Sequence, residues 1–335
     1  MSAPTAPPSL EFGDIAPRFR LDPAGGGAAF DSQADTVSGR PLALAFVASA
    51  DNPAAAALKP RMAEIAQAGG MAYLVARRAS ADSDDSVLID RDGRLTAHFA
   101  GGEGLVLIGR NGHVVAKLPG VTAKGVDRVV AIVRAQAADG APKAAERQAP
   151  VLMVPDVFSP ADCKRLIAVY NMDGNVFVEP GHGVQNRKTD YKMRIPEYGR
   201  KDRIDHWIVN PQTMGLINDR LQRRLFPEIQ KAFQYRITRH ERYRIGCYEG
   251  ERGGELHGHR DNTQPNVAHR RFACSINLNA EDFEGGELAF PEFGGQRFSP
   301  RTGEAAVFSS SLLHEPLHVT AGRRLVLLAF LFGDT

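Results

Sequence analysis

The first half of the chain alternates short apolar runs with stretches of helical periodicity. Helical patterns lie near 55–68 and at 124–137. Runs typical of buried strands are LALAF (42–46), MAYLV (71–75), SVLID (86–90), GLVLIG (104–109) and HVVAKL (113–118). This order predicts an α/β domain with a mixed sheet. Asp-Gly in RDGR (91–94) and Asn-Gly in RNGH (110–113) predict hairpin turns.

The second half begins with helices and then changes to short strands broken by glycines. Ser159, followed by Pro160 and Asp162, predicts the capped start of an amphipathic helix, and a second helix is predicted over 212–233. Strands are predicted at 243–248, 271–279, 286–290, 303–309 and 324–332. This pattern predicts an antiparallel barrel-like or jelly-roll sheet packed on the helices, with an active site in its open mouth.

A polar, proline-bearing segment, ADGAPKAAERQAP (138–150), separates these two differently patterned halves. A chain of 335 residues also exceeds the size at which one core usually keeps growing. We therefore predict two domains, at 10–138 and 151–335, joined by a linker at 139–150.

The composition is that of a globular protein, with 43% hydrophobic and 24% charged residues. A formal net charge of +2 gives no electrostatic reason to expect nucleic acid or an anionic membrane as a partner, so we expect a small-molecule, peptide or protein substrate. The N-terminal sequence lacks the pattern of a signal peptide, and we expect a cytoplasmic protein. Cys163, Cys247 and Cys274 have no metal or redox spacing and are predicted to be buried thiols.

The first half resembles the peroxiredoxin branch of the thioredoxin fold over roughly 10–138. The resemblance is carried by FGDIAPRFRLD (12–22), SGRPLALAFVASADNPAAAA (38–57) and SVLIDRDGRLTAHFAGGEGLVLIGRNGHVV (86–115). It implies that the reactive cysteine would stand at about Ala55, but no cysteine precedes Cys163. Because thiol peroxidation needs a thiolate, the resemblance implies the fold and not the activity.

Candidate metal chemistry lies in the second half. His259 and Asp261 stand at i and i+2, which places both side chains on the same face of an extended strand. This spacing is common by chance, but His314 follows 53 residues after Asp261, far enough for the chain to return beside the pair. Two imidazoles and one carboxylate form the facial triad of non-haem iron(II) oxygenases, which leaves coordination positions open.

Arg324 follows His314 by ten residues and begins a very apolar strand. A guanidinium there needs an anion, which a dicarboxylate cosubstrate supplies through a bidentate pair. A structural carboxylate is the alternative partner.

Three segments resemble the prolyl-hydroxylase branch of the iron(II)/2-oxoglutarate dioxygenases, with coverage from about Val151 to Phe332. They are YEGERGGELHGHRDN (248–262), INLNAEDFEGGELAFPEF (276–293) and SPRTGEAAVFSSSLLHEPLHVTAGRR (299–324). The resemblance implies a double-stranded β-helix in which His259, Asp261 and His314 bind iron. It also implies that Arg324 anchors 2-oxoglutarate and that Tyr248 lies in the cosubstrate pocket.

The pattern departs from the family at two points. Asn277 stands where several members use a tyrosine to help hold 2-oxoglutarate, and we expect it to bind the cosubstrate instead. The gap of eleven residues from Tyr248 to His259 is also longer than in many relatives. Both departures concern the pocket and leave the three metal ligands in place.

Other assignments stay open for some of these residues. His257 and His318 are alternative ligands, although His257 has no acidic residue two positions later and His318 is only six residues from Arg324. Tyr248 and Trp207 can each be packed core aromatics instead of pocket or substrate-binding residues.

We therefore expect an iron(II)- and 2-oxoglutarate-dependent dioxygenase that hydroxylates a C–H bond of an amino acid, peptide or protein side chain, with prolyl hydroxylation as the leading specific reaction. Molecular oxygen is its co-reactant, succinate and carbon dioxide are its coproducts, and ascorbate is a candidate reductant. The rivals are an inactive binding or scaffold protein and a thiol-redox protein. The first domain is a candidate for substrate recruitment or for the contact of a homodimer.

The missing cysteine generates a direct test of the first domain. We expect a fragment ending near Pro150 to fold alone and to reduce no hydrogen peroxide with any thiol donor, because residues 1–162 contain no thiol. Peroxide consumption would be followed with dithiothreitol and with thioredoxin as donors. Measurable turnover by the fragment would contradict the prediction.

Overall fold

A computed structural model describes residues 9–139, 148–172, 176–178, 188–195, 203–250 and 258–334. The chain divides into two compact units, Met1–Ala144 and Ala145–Thr335. Most of the predicted linker lies outside the described residues. None of the helices described has the length and apolar character needed to cross a membrane.

Within the described residues, the first unit contains a seven-stranded sheet. Its strands are β1 (Arg20–Pro23), β2 (Phe30–Asp31), β3 (Leu42–Val47), β4 (Met71–Ala76), β5 (Val87–Ile89), β6 (Gly104–Ile108) and β7 (Val114–Pro119). Its helices are α1 (Met62–Gln67), α2 (Arg94–Phe99) and α3 (Ala123–Asp139), with 3-10 turns at Pro53–Ala57 and Lys59–Arg61.

The sheet order is β2-β1-β5-β4-β3-β6-β7, with parallel pairs β3–β4 and β4–β5 and antiparallel pairs β3–β6 and β6–β7. The predicted mixed sheet is therefore present. All six residues of β3 are buried, and the alternate side chains of this strand contribute to two separate apolar clusters, one on each face.

Two local predictions in this unit need correction. The sequence around Asp92-Gly93 is no hairpin: Gly93, at φ +69°, precedes helix α2, and Asp90 accepts hydrogen bonds from the Thr96 backbone N–H and hydroxyl at 2.8 and 2.6 Å. A carboxylate that satisfies the first amides of a helix favours the helix over the hairpin.

The helix predicted over 55–68 is two 3-10 turns followed by the short α1, whereas the Asn111-Gly112 hairpin is present between β6 and β7.

The second unit has its helices before most of its strands, as predicted. They are α4 (Pro160–Asn171), α5 (Pro211–Arg220) and α6 (Phe226–Phe233). Ser159 and Asp162 form the predicted capping box at the start of α4. The helix predicted over 212–233 is continuous but contains a π-helical turn at Leu221–Leu225, just before Pro227, which lacks the N–H that a regular helical bond requires.

The strands of the second unit form a ten-stranded and a three-stranded sheet within the described residues. They are β8 (Leu152–Val154), β9 (Val176–Val178), β10 (Tyr191–Ile195), β11 (Arg203–Trp207), β12 (Arg239–His240), β13 (Arg244–Glu249), β14 (Phe272–Asn277), β15 (Phe283–Gly285), β16 (Leu288–Ala289), β17 (Arg297–Phe298), β18 (Ala305–Ser309), β19 (Glu315–Pro316) and β20 (Val319–Phe332). The larger sheet runs β8-β18-β14-β20-β13-β11-β10-β9, with β12 and β15 also paired to β20, and the smaller runs β17-β16-β19.

Strand β20 lies between β14 and β13 and has two chemically different faces. Its odd-numbered residues from Leu325 to Leu331 join the core cluster that includes α4, α5 and α6. Phe330, on the opposite face, packs with Leu288 of the smaller sheet and with Phe308 of β18. The C-terminal unit is thus mostly β-sheet, of jelly-roll type, with one face of its larger sheet turned to the helices and the other to a cavity. All three cysteines are free and buried, as predicted.

Candidate metal centre

His259, Asp261 and His314 come together, although they lie outside the regular strands that precede and follow them. His259 and His314 form an isolated antiparallel bridge, in which each backbone N–H donates to the other's carbonyl at 3.0 Å. The backbone N–H of Asp261 donates to the Ser310 carbonyl at 2.9 Å. These bonds connect the two segments and explain how residues 53 apart in the chain converge.

The three side chains present a suitable set of metal-binding atoms. One ligand atom from each residue lies within 4.8 Å of the others. Nε2 of His259 is 3.4 Å from Oδ1 of Asp261, and Nε2 of His314 is 3.5 Å from Oδ2 of the same carboxylate. Two imidazole nitrogens and one carboxylate oxygen at this separation fit a divalent iron centre with open coordination positions.

The protonation states also suit metal binding. Burial lowers the pKa of His314, which favours the neutral imidazole, and its Nδ1 lies 3.1 Å from the Leu312 carbonyl, so that Nε2 points into the cluster. Burial opposes ionisation of Asp261, but the hydrogen bond from His259 and the nearby positive charges, including Arg270, lower the pKa of its carboxyl. The pKa shifts of His314 and Asp261 therefore favour a neutral imidazole beside a carboxylate.

The alternative histidines do not join this cluster where the structure describes them. His318, which is described, contributes no atom to the group, and its carbonyl accepts a bond from the Gly286 backbone N–H. His257 lies outside the described residues.

A cavity is lined by the cluster together with Tyr248, Ser275 and Arg324. Arg324 is 1% exposed, and its side chain points to this cavity from β20. Nε donates to Oδ1 of Asn277 at 3.0 Å and Nη2 donates to Oγ of Ser275 at 3.2 Å. Both of these acceptors are uncharged.

Tyr248 and Asn277 stand on either side of Arg324 but contact it differently. Tyr248 is opposite Arg324 in the β13–β20 register, and the Arg324 Cζ lies 5.3 Å from the centre of its ring. Asn277 is 2% exposed, and its Nδ2 donates to the Pro300 carbonyl at 2.7 Å while its Oδ1 accepts from Arg324. The amide group that we expected to donate to the cosubstrate is thus hydrogen-bonded within the protein at both ends.

The cavity is also lined by Arg244 and Phe330. The Arg244 guanidinium lies 5.3 Å from the Trp207 ring centre and 5.4 Å from that of Phe330, and its Nε is 3.4 Å from the buried carboxylate of Asp205. Trp207 also stacks on Tyr191, at 6.0 Å with an interplanar angle of 5°. Trp207 therefore packs between Tyr191 and Arg244, the second of which lines the cavity.

Arg270 is a residue of the site that the sequence did not reveal. Its Nη1 donates to the Asp261 carbonyl at 3.1 Å, while Nε and Nη2 donate to both carboxylate oxygens of Glu241 at 2.6 and 2.7 Å. Its guanidinium also lies 3.7 Å from the Phe330 ring centre. No spacing rule connects Glu241, Asp261 and Arg270, so only the folded structure identifies this contact. Ser275, by contrast, was available from the period-two pattern, because it precedes Asn277 by two residues and shares its face.

Comparison with known families agrees with this geometry. Residues 243–332 match the 2OG-Fe(II) oxygenase superfamily, and this range contains the three clustered side chains and Arg324. A comparison of the sequence with curated proteins finds no match.

Several solved structures are similar to the chain. A viral collagen prolyl hydroxylase from Paramecium bursaria Chlorella virus-1 has 14% identity and a TM-score of 0.39, covering 55% of this chain and 96% of its own. An oxidoreductase of the 2OG-Fe(II) oxygenase family from Burkholderia pseudomallei has 18% identity and a TM-score of 0.41, with coverages of 54% and 84%. A Pseudomonas putida prolyl-4-hydroxylase has 16% identity and a TM-score of 0.37, with coverages of 56% and 95%.

The C-terminal region therefore contains a 2OG-Fe(II) oxygenase domain. Its cofactors are iron(II) and 2-oxoglutarate, and the protein is an enzyme of the dioxygenase class.

The contact between Arg270 and Asp261 generates a prediction about metal affinity. We expect Arg270→Ala to weaken Mn(II) binding roughly tenfold, the lower end of the effect of removing an outer partner of a metal ligand, because the loop carrying Asp261 loses a support. Affinity would be measured by calorimetric titration of the metal-free protein.

The neighbouring Arg271 is the matched control, since its Nη1 donates to the Ala268 carbonyl and its side chain lines no part of the cavity. Arg271→Ala should bind Mn(II) as the wild type does. If both variants bound Mn(II) with the same affinity, Arg270 would not support the loop that carries Asp261.

Proposed function

We propose that this oxygenase hydroxylates a C–H bond of an amino acid, a peptide or a protein side chain, with iron held by His259, Asp261 and His314 and with 2-oxoglutarate anchored by Arg324. The observation that carries the proposal is the convergence of two imidazoles and one carboxylate on a cavity that also contains a buried guanidinium. Prolyl hydroxylation is the specific reaction that we propose first, from the resemblance of 248–324 to the prolyl-hydroxylase branch.

His259, Asp261 and His314 would hold iron(II) and would leave coordination positions open for the cosubstrate and oxygen. When bound, iron(II) and 2-oxoglutarate supply oxidative chemistry that converts 2-oxoglutarate to succinate and carbon dioxide. The chain's own residues fix the metal geometry, anchor the dicarboxylate and line the cavity with apolar side chains such as Phe308 and Leu328. We assign Tyr248 to the cosubstrate pocket, since its ring lies against the anchoring guanidinium.

The rival functions find less support in these residues. An inactive scaffold would have no need to retain three ligand side chains and a buried arginine around one cavity. A thiol-redox function would need a reactive cysteine, whereas burial raises the pKa of Cys163 to about 12 and also raises the pKa of Cys247 above its usual range.

We further propose the finer fold assignments that the sequence suggested. The first unit is a thioredoxin-like domain without its reactive cysteine, since Ala55 is buried in the 3-10 turn where that residue would stand. The second unit is a double-stranded β-helix. In this proposal the first unit recruits the substrate or forms the contact of a homodimer, and it takes no part in the oxidation.

The metal assignment is tested by replacing each ligand. We expect Ala at His259, Asp261 or His314 to abolish iron-dependent formation of succinate from 2-oxoglutarate while the far-ultraviolet circular dichroism stays native, because a two-ligand site binds iron poorly. Substrates would be sought by adding amino acids and prolyl peptides and reading a mass gain of one oxygen.

His318→Ala is the control for the third ligand and should retain most of the turnover. An inactive His318→Ala variant together with an active His314→Ala variant would reverse the assignment. Wild-type protein that forms no succinate with iron present would favour the inactive scaffold.

The anchor assignment is tested at Arg324. We expect Arg324→Ala to raise the KM for 2-oxoglutarate by the equivalent of about 2–5 kcal/mol, as for breaking a buried charge pair, while Mn(II) affinity changes little. Arg324→Lys should recover only part of this loss, because an ammonium cannot reproduce the planar fork. If Arg324→Ala had the KM of the wild type, another residue would have to hold the carboxylate.

A further inference from the structure

One edge of the Arg324 guanidinium is held by two neighbouring side chains of β14. Nε donates to Oδ1 of Asn277 and Nη2 donates to Oγ of Ser275, and these two nitrogens form one side of the planar group. Asn277 and Ser275 are two residues apart in the strand, so both project from the same face. The contact is thus made by a regular strand, whose backbone pairs with β20 on one side and with β18 on the other.

The orientation of the Asn277 amide is determined by a second hydrogen bond. Nδ2 donates to the Pro300 carbonyl at 2.7 Å, and the backbone carbonyl of Asn277 accepts from Gly303 N–H at 2.8 Å. Exchanging the amide oxygen and nitrogen would place two donors against each other at Arg324 and two acceptors against each other at Pro300. The segment before β18 therefore fixes which end of Asn277 meets the guanidinium.

Tyr248 and Gly286 also lie against the Arg324 side chain. The Tyr248 ring lies under the guanidinium, and a Cβ added at Gly286 would be 3.0 Å from the Arg324 Cδ. Gly286 has a φ of +71°, so this position favours glycine for its backbone as well. The long side chain is consequently held in one conformation by β13, β14 and the turn before β16.

We propose that Asn277 and Ser275 are positioning residues that orient the Arg324 guanidinium for the distal carboxylate of 2-oxoglutarate. The inference rests on the proposed role of Arg324 as the anchor. It replaces our expectation that Asn277 itself binds the cosubstrate. Asn277 and Ser275 reach the ligand through Arg324.

The chemistry of the two acceptors supports this role. An amide oxygen and a hydroxyl oxygen accept hydrogen bonds from Nε and Nη2 without bringing a negative charge of their own, so these two partners do not compete with a dicarboxylate for the cation. A carboxylate in the place of Asn277 would hold the arginine equally well but would compete with the ligand. The Arg324 side chain is also ordered before the ligand arrives, so binding of 2-oxoglutarate does not have to restrict its rotamers.

The test compares Asn277→Asp, Asn277→Ala and Ser275→Ala with the wild type. Binding of 2-oxoglutarate would be measured by calorimetry on the Mn(II)-loaded protein, and kcat and KM by succinate formation with iron. We expect Asn277→Ala to raise Kd and KM roughly tenfold, as for loss of a hydrogen bond to a charged group. Asn277→Asp should raise both further, although it is nearly isosteric, and Ser275→Ala should raise them less. In all three, kcat at saturating 2-oxoglutarate should stay within about twofold, because ground-state binding is what changes.

A matched control separates this effect from general destabilisation. Asn218 in α5 accepts a 2.7 Å hydrogen bond from the Tyr243 hydroxyl and lines no part of the cavity. Asn218→Ala should lower the melting temperature without changing the Kd for 2-oxoglutarate. If Asn277→Ala does not fold, Asn277→Asp and Ser275→Ala carry the test.

A double-mutant cycle with Arg324→Lys shows whether Asn277 acts through the arginine. A lysine lacks the Nε–H group in this place, so Asn277→Ala should have almost no further effect on Kd in the Arg324→Lys background. An undiminished effect in that background, or an Asn277→Ala variant that binds 2-oxoglutarate as tightly as the wild type, would overturn the positioning role. Failure of the wild-type protein itself to bind 2-oxoglutarate would instead refute the proposed function and, with it, this inference.

Discussion

A guanidinium buried within an apolar strand is the constraint on which the catalytic unit depends. Arg324 begins a run of aliphatic residues in β20, and its charge is 1% exposed. A charge removed from water is costly unless its donors are satisfied, so the strands on both sides must supply polar or aromatic partners at the right register. Ser275, Asn277 and Tyr248 meet this requirement, and Gly286 leaves room for the side chain.

The metal cluster depends on a different kind of contact, between two irregular segments. The backbone bridge of His259 and His314 sets the distance between the imidazoles, and Asp261 is tied to Ser310. Arg270 then connects the carbonyl of Asp261 to Glu241, which precedes β13. The pairing of β13 and β14 with β20 brings Tyr248 and Ser275 to Arg324, and the metal cluster lines the same cavity as these three residues.

The two units use buried strands in different ways. In the first unit β3 is buried on both faces and separates two apolar clusters, which is typical of a sheet covered on each side. In the second unit only one face of β20 serves the hydrophobic core, while the other carries an arginine and lines a cavity. This difference agrees with our assignment of chemistry to the second unit alone.

The sequence by itself determined the elements whose signals are local. The capping box of Ser159 and Asp162, the hairpin at Asn111-Gly112 and the period-two strands follow from short-range sterics and hydrogen bonds. The same sequence named the candidate ligands, since their residue types suit a facial triad and the resemblance to the dioxygenase family selects them among the other histidines. Only the tertiary structure decided that a helix follows Asp92-Gly93, where Asp90 accepts hydrogen bonds from Thr96. It likewise decided that Asn277 donates to the Pro300 carbonyl and accepts from Arg324. It also decided that Arg270 joins Glu241 to Asp261. Such partners are remote or unrelated in spacing, and which of several possible hydrogen bonds forms depends on the packing that brings the segments together.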